Sequence, residues 1–351
     1  MTKTSTKAIV RTIGIDIGKN TFHLVGMDAS GAIVLRQKVS RGQLENRFAN
    51  LPPCLIGMEA CVGAHFLSRQ LCRLGHDARL MPALYVKPFL KGHKNDFRDA
   101  EAIAEAVQRP TMRFVPTKSV EQLDLQALHR VRARLVRQRT AVINQLRAFL
   151  LERGIAVRQG HRFLRAALPD IMAEATDLLS PRMIQVITDL SADCRRLDDR
   201  VEEVTSEIEA LAKADAACQR LMTVPGIGPI IASAMVAAID NGAAFTKGRD
   251  FAAWLGLVPR QTSTGDRTIL GRISKRGNKY LRTLLIQGAR SLLIRTTNWP
   301  RHSFGPWLDS ASRRLHRNVL AVALANKLAR IAWSVLHHGT EYQVVRQTPS
   351  V

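Results

Sequence analysis

Four carboxylates stand out by type and spacing: Asp16 in IGIDIGKNTF, Glu59 in GMEACVG, and Asp96 and Asp99 in KNDFRDAEA. Asp16 is the one acid in an apolar run. A carboxylate left without a partner in such surroundings costs several kcal/mol or takes up a proton, so the chain must give it a cation, a donor or a proton. Asp16 and Glu59 each fall at or near the end of a predicted strand, and Asp96 and Asp99, three apart, share one face of a predicted helix. Four acids brought to one sheet edge would repel one another. As hard oxygen ligands they would hold Mg2+ or Mn2+, and a pair of such ions is the usual apparatus for breaking phosphodiesters. Lys91, His93, Lys94 and Arg98 surround the last two acids, as a site on a phosphate backbone requires. The plainer reading is that Glu59 ends a strand at the surface and that Asp96 and Asp99 are ordinary acids at a helix N-terminus.

Two further stretches could do chemistry. PGIGP (225–229) lies between apolar helical segments and reads as the hairpin of a helix-hairpin-helix, whose glycines, Gly226 and Gly228, bring backbone N–H groups to a phosphate without reading sequence. The alternative is a tight helix–helix turn that serves packing. In PRQTSTGDRTILGRISKRGNKYLR, the cations Arg260, Arg267, Arg272, Lys275, Arg276, Lys279 and Arg282 surround TSTG. A hydroxyl among arginines suits a nucleophile on phosphorus, because cations stabilise the pentacoordinate charge and favour the ionised hydroxyl. A Ser/Thr-Gly pair is also ordinary turn chemistry.

Three β-rich runs between residue 8 and about residue 37, joined by KN and DASG, are too closely linked for anything but an antiparallel meander. A polar helix, the strand CLIGMEA, a helix over 61–75, the strand DARLM and a helix over 93–108 follow. Three hairpin strands and then β-α-β-α is the order of an RNase H-like sheet. The expected domains are 8–118 for this α/β unit, 119–215 for a helical segment, 216–340 for a mainly helical C-terminal region and 341–351 for a tail. Within the helical segment, residues 129–153 hold seven arginines and one acid, and Leu197, Val201, Val204, Ile208 and Leu211 form a two-heptad seam that predicts a coiled coil pairing two protomers.

The chain of 351 residues carries 52 Lys plus Arg against 29 Asp plus Glu, a net +23, and is 46% hydrophobic. That is a soluble globular composition with a field that attracts nucleic acid. Residues 216–351 hold 19 cations and five acids, so +14 of the +23 lies in the last third. Five scattered cysteines without a CxxC pair fit a reducing cytoplasm better than a disulfide framework or zinc site. The first residues, MTKTSTKAIVRT, lack an apolar secretion signal, and no run reaches 18 apolar residues, so no membrane association is expected.

Taken together, IGIDIGKNTF, GMEACVGAHF, KNDFRDAEAIAEA, VPGIGP and WLGLVPRQTSTGDRTILGRISKRGNKYLRTLL resemble the DEDD transposases of bacterial insertion sequences, the one-ten family and its one-eleven-eleven subgroup, related to the Piv and MooV invertases. The likeness runs from about residue 12 to about residue 335. It implies a RuvC-like N-terminal domain whose Asp16, Glu59, Asp96 and Asp99 bind metal, a helical coiled-coil insert, and a C-terminal transposase domain with a serine nucleophile. It further implies DNA cut and rejoined through a phosphoserine, guidance by a noncoding bridge RNA, a homo-oligomer (dimer or tetramer), and a nucleoid-associated cytoplasmic protein. Family members carry Ser-Gly or Ser-Ser-Gly after GLxPR, whereas this chain reads Thr262, Ser263, Thr264, Gly265. Ser263 keeps the residue type and is assigned the nucleophile. In an ungapped comparison Thr264 takes the place beside glycine.

Three other readings compete. A Holliday-junction resolvase-type nuclease would use the acids with water as nucleophile and leave TSTG idle. An actin-like sugar or acetate kinase would use the Asp-Ile-Gly turn for ATP, but the chain lacks a second DxG turn and a Gly-Gly adenosine segment. A nucleic-acid-binding module without catalysis has no use for Asp16.

Overall fold

In the computed structural model, which describes residues 9–93, 95–174 and 178–343, the short links do force the meander. β1 (Thr12–Ile17), β2 (Thr21–Met27) and β3 (Ile33–Ser40) pair antiparallel, and the second link turns on Asp28, whose carboxylate accepts from Ser30 N and Ala32 N. After α1 (Leu44–Ala49), β4 (Leu55–Glu59) joins β1 in parallel; α2 (Ala64–Arg73) and β5 (Asp77–Met81) follow, then α3 (Ala83–Val86) and α4 (Asp96–Val107). The sheet order is β3-β2-β1-β4-β5. These elements form one compact unit, Met1–Val120. Lys94 and the tail from residue 344 onward fall outside the described residues.

Period-two alternation divides the sheet's residues between two faces. Ile13, Ile15, Phe22, Leu24, Ile56 and Met58 pack with Phe48 of α1 and Leu67 and Leu71 of α2. The intervening residues face α4, and glycine is required where the helix comes closest. A Cβ on Gly14 would stand 2.0 Å from Ala100 O, and one on its register partner Gly57 would stand 2.7 Å from Val107 Cβ. The two glycines let α4 lie against the strands, and that approach sets the height of its N-terminus.

The second unit, Glu121–Val351, is built on α5 (Val120–Leu151), α6 (His161–Glu174), α7 (Pro181–Ala214), α8 (Ala216–Met222), α9 (Pro229–Ile239) and α10 (Gly248–Trp254). The hairpin β6 (Pro259–Thr264) and β7 (Arg267–Ile273) comes next, followed by α11 (Lys279–Ile294), α12 (Gly305–Ser312) and α13 (Arg317–His338). α13 is long and apolar enough to cross a membrane by length and composition alone. Its Leu320, Leu324, Leu328 and Leu336 are instead buried in the core of the unit. All five cysteines are free thiols.

Most of the heptad seam is covered within the chain, Leu211 at its end being exposed. Val201, Val204 and Ile208 are buried in a cluster with Leu135, against Leu128 and Val131 of α5 and Ile230 of α9. Arg132 donates to Thr205 at 2.7 Å and Arg139 to Asp198 at 2.9 Å, which sets α5 antiparallel to α7. The protomer-pairing expectation is therefore corrected: the seam meets its partner helix within the same chain. Asp198, next to the seam residue Leu197, is held between Arg139 and His161. Val204→Asp combined with Ile208→Asp puts two carboxylates into this packing and should lower unfolding stability by more than about 4 kcal/mol in urea melts. A variant as stable as its parent but half its native mass would restore the pairing reading.

His129 ties α5 to the base of the hairpin region. It is buried, with Nε2 3.0 Å from Ser233 Oγ on α9 and Nδ1 3.0 Å from Tyr280 Oη on α11. Burial pushes its pKa down to about 4, so the ring is neutral near pH 7.

Candidate active site

Asp16 stands two residues beyond Gly14, on the α4 face of β1, and Glu59 two residues beyond Gly57 on β4. On β2, His23 pairs with Asp16 across the ladder and also faces α4, where its ring meets Phe97 edge-on at 4.8 Å. From Ala100, opposite Gly14, one helical turn leads back to Asp96, so the start of α4 arrives at the level of Asp16. The side-chain Oδ1 of Asn95 accepts from Phe97 N and caps the helix, and the positive end of the helix dipole lies among the acids.

Side-chain ligand atoms of Asp16, His23 and Asp96 all lie within 4.8 Å of one another, with His23 Nδ1 3.6 Å from Asp96 Oδ2. Glu59 and Asp99 adjoin this cluster. Burial, and then the charges of Asp16 and Asp99, push the Glu59 carboxyl pKa upward. A group of acids that raises its own proton affinity suits a divalent cation, and these residues could hold one. The four acids thus gather at one end of the sheet, and the closest three-atom set includes a histidine that sequence reasoning left out. The signal was present: in TFHLVGM, His23 alternates with the core residues Phe22 and Leu24 and so had to share a face with Asp16. Of the cations expected around the acids, Lys91 pairs with Glu105 at 2.8 Å, and Arg98 turns to His93 O.

In the second unit TSTG is a strand end rather than a loop. Gly265 and Asp266 form a two-residue hairpin link with Gly265 at φ +55°, and Ser263 pairs with Thr268 while Thr264 pairs with Arg267. Every residue of β6 is exposed. Ser263 Oγ accepts from Gln261 Nε2 at 2.8 Å and lies 3.3 Å from Thr268 Oγ1. Because strand side chains alternate, Arg267 projects with Thr264 from the ribbon face opposite Ser263. Among the residues of TSTG, Arg267 therefore stands beside Thr264 rather than Ser263.

Arg260, Arg272, Lys275, Arg276 and Lys279 are exposed, as is Arg267. The turn carrying Lys275 and Arg276 is fixed by close backbone packing: a Cβ on Gly277 would sit 1.8 Å from Trp254 O, and Lys275 is held at φ +55° with its N–H donating to Gly256 O. Arg282 is different. It is buried and donates from Nη1 to Leu255 O at 2.7 Å and Arg276 O at 3.0 Å, so it braces this turn from inside and is corrected from a phosphate ligand to a structural strut. Gly226, at φ +81°, packs on α11, where an added Cβ would meet Leu292 Cδ1 at 2.7 Å. Gly228 precedes α9 with open space beside its Cα.

Residues 13–154 match a family profile named DEDD_Tnp_IS110 and described as a transposase, and residues 218–304 match that of the Transposase IS116/IS110/IS902 family. A probable family 20 transposase of Pseudomonas aeruginosa is 47% identical over 332 residues, which is 94% of this chain and 98% of that one. The chain belongs to the IS110/IS116/IS902 family of transposases. The transposase for insertion sequence element IS1328 of Yersinia enterocolitica is 43% identical over 95% of this chain and 98% of its own length. That for IS1111A of Coxiella burnetii is 40% identical over 95% and 92%. The transposase is thus an enzyme of DNA recombination, with an acid-bearing α/β unit and a basic helical one.

Proposed function

We propose that this transposase cuts and rejoins DNA with two sets of residues: the acidic edge of the first unit, holding Mg2+ or Mn2+, and Ser263 of the second unit as nucleophile. The observation that carries the reading is the convergence of Asp16, His23 and Asp96, with Glu59 and Asp99 beside them, at one end of a 3-2-1-4-5 sheet. That strand order supports a RuvC-like, RNase H-like assignment. When bound there, the ion would neutralise charge on the scissile phosphate. Asp16, Asp96 and His23 would hold it, with Glu59 and Asp99 orienting the phosphate or its water.

The exposed hairpin supports the second half of the proposal, because a two-stranded ribbon with Ile269 51% and Leu270 64% exposed has no core of its own and is stabilised by what it docks on. The α8–α9 turn, read as a helix-hairpin-helix, would present Gly228 to a backbone phosphate. A bridge RNA from the element's own flank supplies target choice, and a dimer or tetramer brings the acids of one protomer to the serine of another. Nothing in this reading needs the heptad seam.

The test is recombination of a two-site plasmid with the transposase, divalent metal and RNA from the element's flank. Recombination should require both and stop in excess EDTA. Binding should weaken steeply with salt, log K falling by about 0.9 per phosphate contact on duplex and about 0.7 on single strands. Equal competition by an unrelated RNA of the same length would leave charge, without guidance, as the whole of the RNA interaction.

A further inference from the structure

A cavity whose lining includes no residue of the hairpin lies between the start of α10 and the middle of α13. Its volume is about 620 Å³, and its walls include Lys247 and Arg249 on one side, Lys327 and Arg330 on the other, and Ser303 and Ser334. No carboxylate lines it. Asp250, next in sequence to Arg249, is bonded to Thr246 at 2.8 Å, and among the described residues none of the four cations has an ion-pair partner.

Crowding four cations around one recess costs repulsion that an unfilled surface has no reason to keep. Lys327 and Arg330 are neighbours on one face of α13, where like charges destabilise the helix. Lys327 is half-buried, its Nζ 5.1 Å from the centre of the Trp307 ring, and burial together with Arg330 draws its pKa down. The floor is closely packed, since a Cβ on Gly248 would meet Arg330 O at 3.1 Å and Trp333 Cε3 at 3.2 Å. Trp333 itself donates to Gly242 O and stacks on His337, so it is not free to take a base. The recess therefore offers positive charge and hydroxyls, focused by concave apolar walls, without a stacking platform.

We propose that this recess seats the phosphate backbone of an unpaired nucleic-acid strand, at a site separate from the serine hairpin. A concavity of about 620 Å³ fits the turned backbone of a single strand better than the convex surface of a duplex, whose phosphates are held on a stiff rod. Two to three phosphates engage the four cations, and Ser334 donates to a phosphate oxygen. The inference rests on the charge and shape of the recess and does not depend on how the transposase breaks DNA.

Fluorescence anisotropy on the full-length transposase tests it with three probes: a 12-nucleotide oligo(U), an oligo(dT) of equal length and a 20-base-pair duplex. Lys327→Gln with Arg330→Gln should weaken binding of an unpaired probe by about 10- to 100-fold and flatten its log–log salt slope by about 1.4, the loss of two contacts at about 0.7 each. Duplex affinity should move less than about twofold. The probe that loses more, RNA or DNA, identifies the strand seated there. Lys247→Gln with Arg249→Gln, on the exposed wall, should repeat the result without touching the α13 core. Arg314→Gln with Arg317→Gln removes the same charge outside the recess and should leave the unpaired probes within twofold. Unchanged affinity for both unpaired probes in both recess variants, an equal loss on the duplex, or an equal loss in the control pair would overturn the proposal.

Discussion

Asp16→Asn should abolish recombination, by about a thousandfold or more, while binding to DNA and RNA stays at the parental level. Each factor of ten is about 1.36 kcal/mol of barrier, and charge neutralisation by a bound metal contributes several. Asp16, with His23 and Asp96, belongs to a set of three ligand atoms that converge within 4.8 Å, so its loss should cost metal affinity first. Binding should hold, because removing a negative charge cannot weaken attraction to phosphate. Asp96→Asn with Asp99→Asn should fail likewise, and His23→Gln should raise the metal concentration needed for half-maximal activity by about tenfold or more.

The acids also give a readout that does not pass through turnover. In metal-free protein the Glu59 pKa is raised by burial and then by the like charges of Asp16 and Asp99. Replacing Asp16 by Asn removes one of those charges, so the Glu59 carboxyl should titrate lower in the variant than in the parent by carboxyl NMR. Full recombination by the Asp96/Asp99 double variant, or activity in excess EDTA, would rule out the metal reading.

Much of the first unit was legible because its signals are local. KN and DASG leave no room for a crossover, and the alternation in IGIDIG and CLIGME fixes which residues face the helix. Gly14 and Gly57 were visible as glycines, but their role is not local. It depends on where α4 lies, which a strand cannot announce by itself. The seam failed for the complementary reason. A 4-3-4-3 spacing states that a helix has an apolar stripe and nothing about which helix covers it, and here the cover comes from about 70 residues earlier in the same chain, through Leu128 and Leu135. Arg282 was misread among the cations because composition counts charges without saying where they point. Its guanidinium faces two backbone carbonyls within the fold.

Ser263→Ala should eliminate both recombination and any SDS-resistant protein–DNA adduct, whereas Thr264→Ser should be tolerated. If the serine hydroxyl attacks phosphorus, the Oγ–P bond forms as the bond to the leaving DNA oxygen breaks, and the ester conserves that bond so that strands rejoin without ATP. A water-mediated nuclease leaves a free end and no adduct. The ribbon geometry sharpens the choice between the two hydroxyls, since Ser263 and Thr264 project from opposite faces and one docked strand can meet only one of them. Ser263 shares its face with Gln261, whose amide donates to its Oγ, and Thr264 shares its face with Arg267. Attack by Ser263 therefore calls on cations other than Arg267, and Arg267→Ala should cost less than about tenfold. A nucleophilic Thr264 would make Arg267 an adjacent charge stabiliser, worth about a hundredfold to a thousandfold by analogy with a single oxyanion donor. An adduct that survives Ser263→Ala but vanishes in Thr264→Ala, together with a large loss in Arg267→Ala, would move the nucleophile to the other face. Cleavage by the Ser263→Ala/Thr264→Ala double variant, with no adduct in the parent, would remove covalent catalysis altogether and leave the acids to activate water in the manner of a junction resolvase.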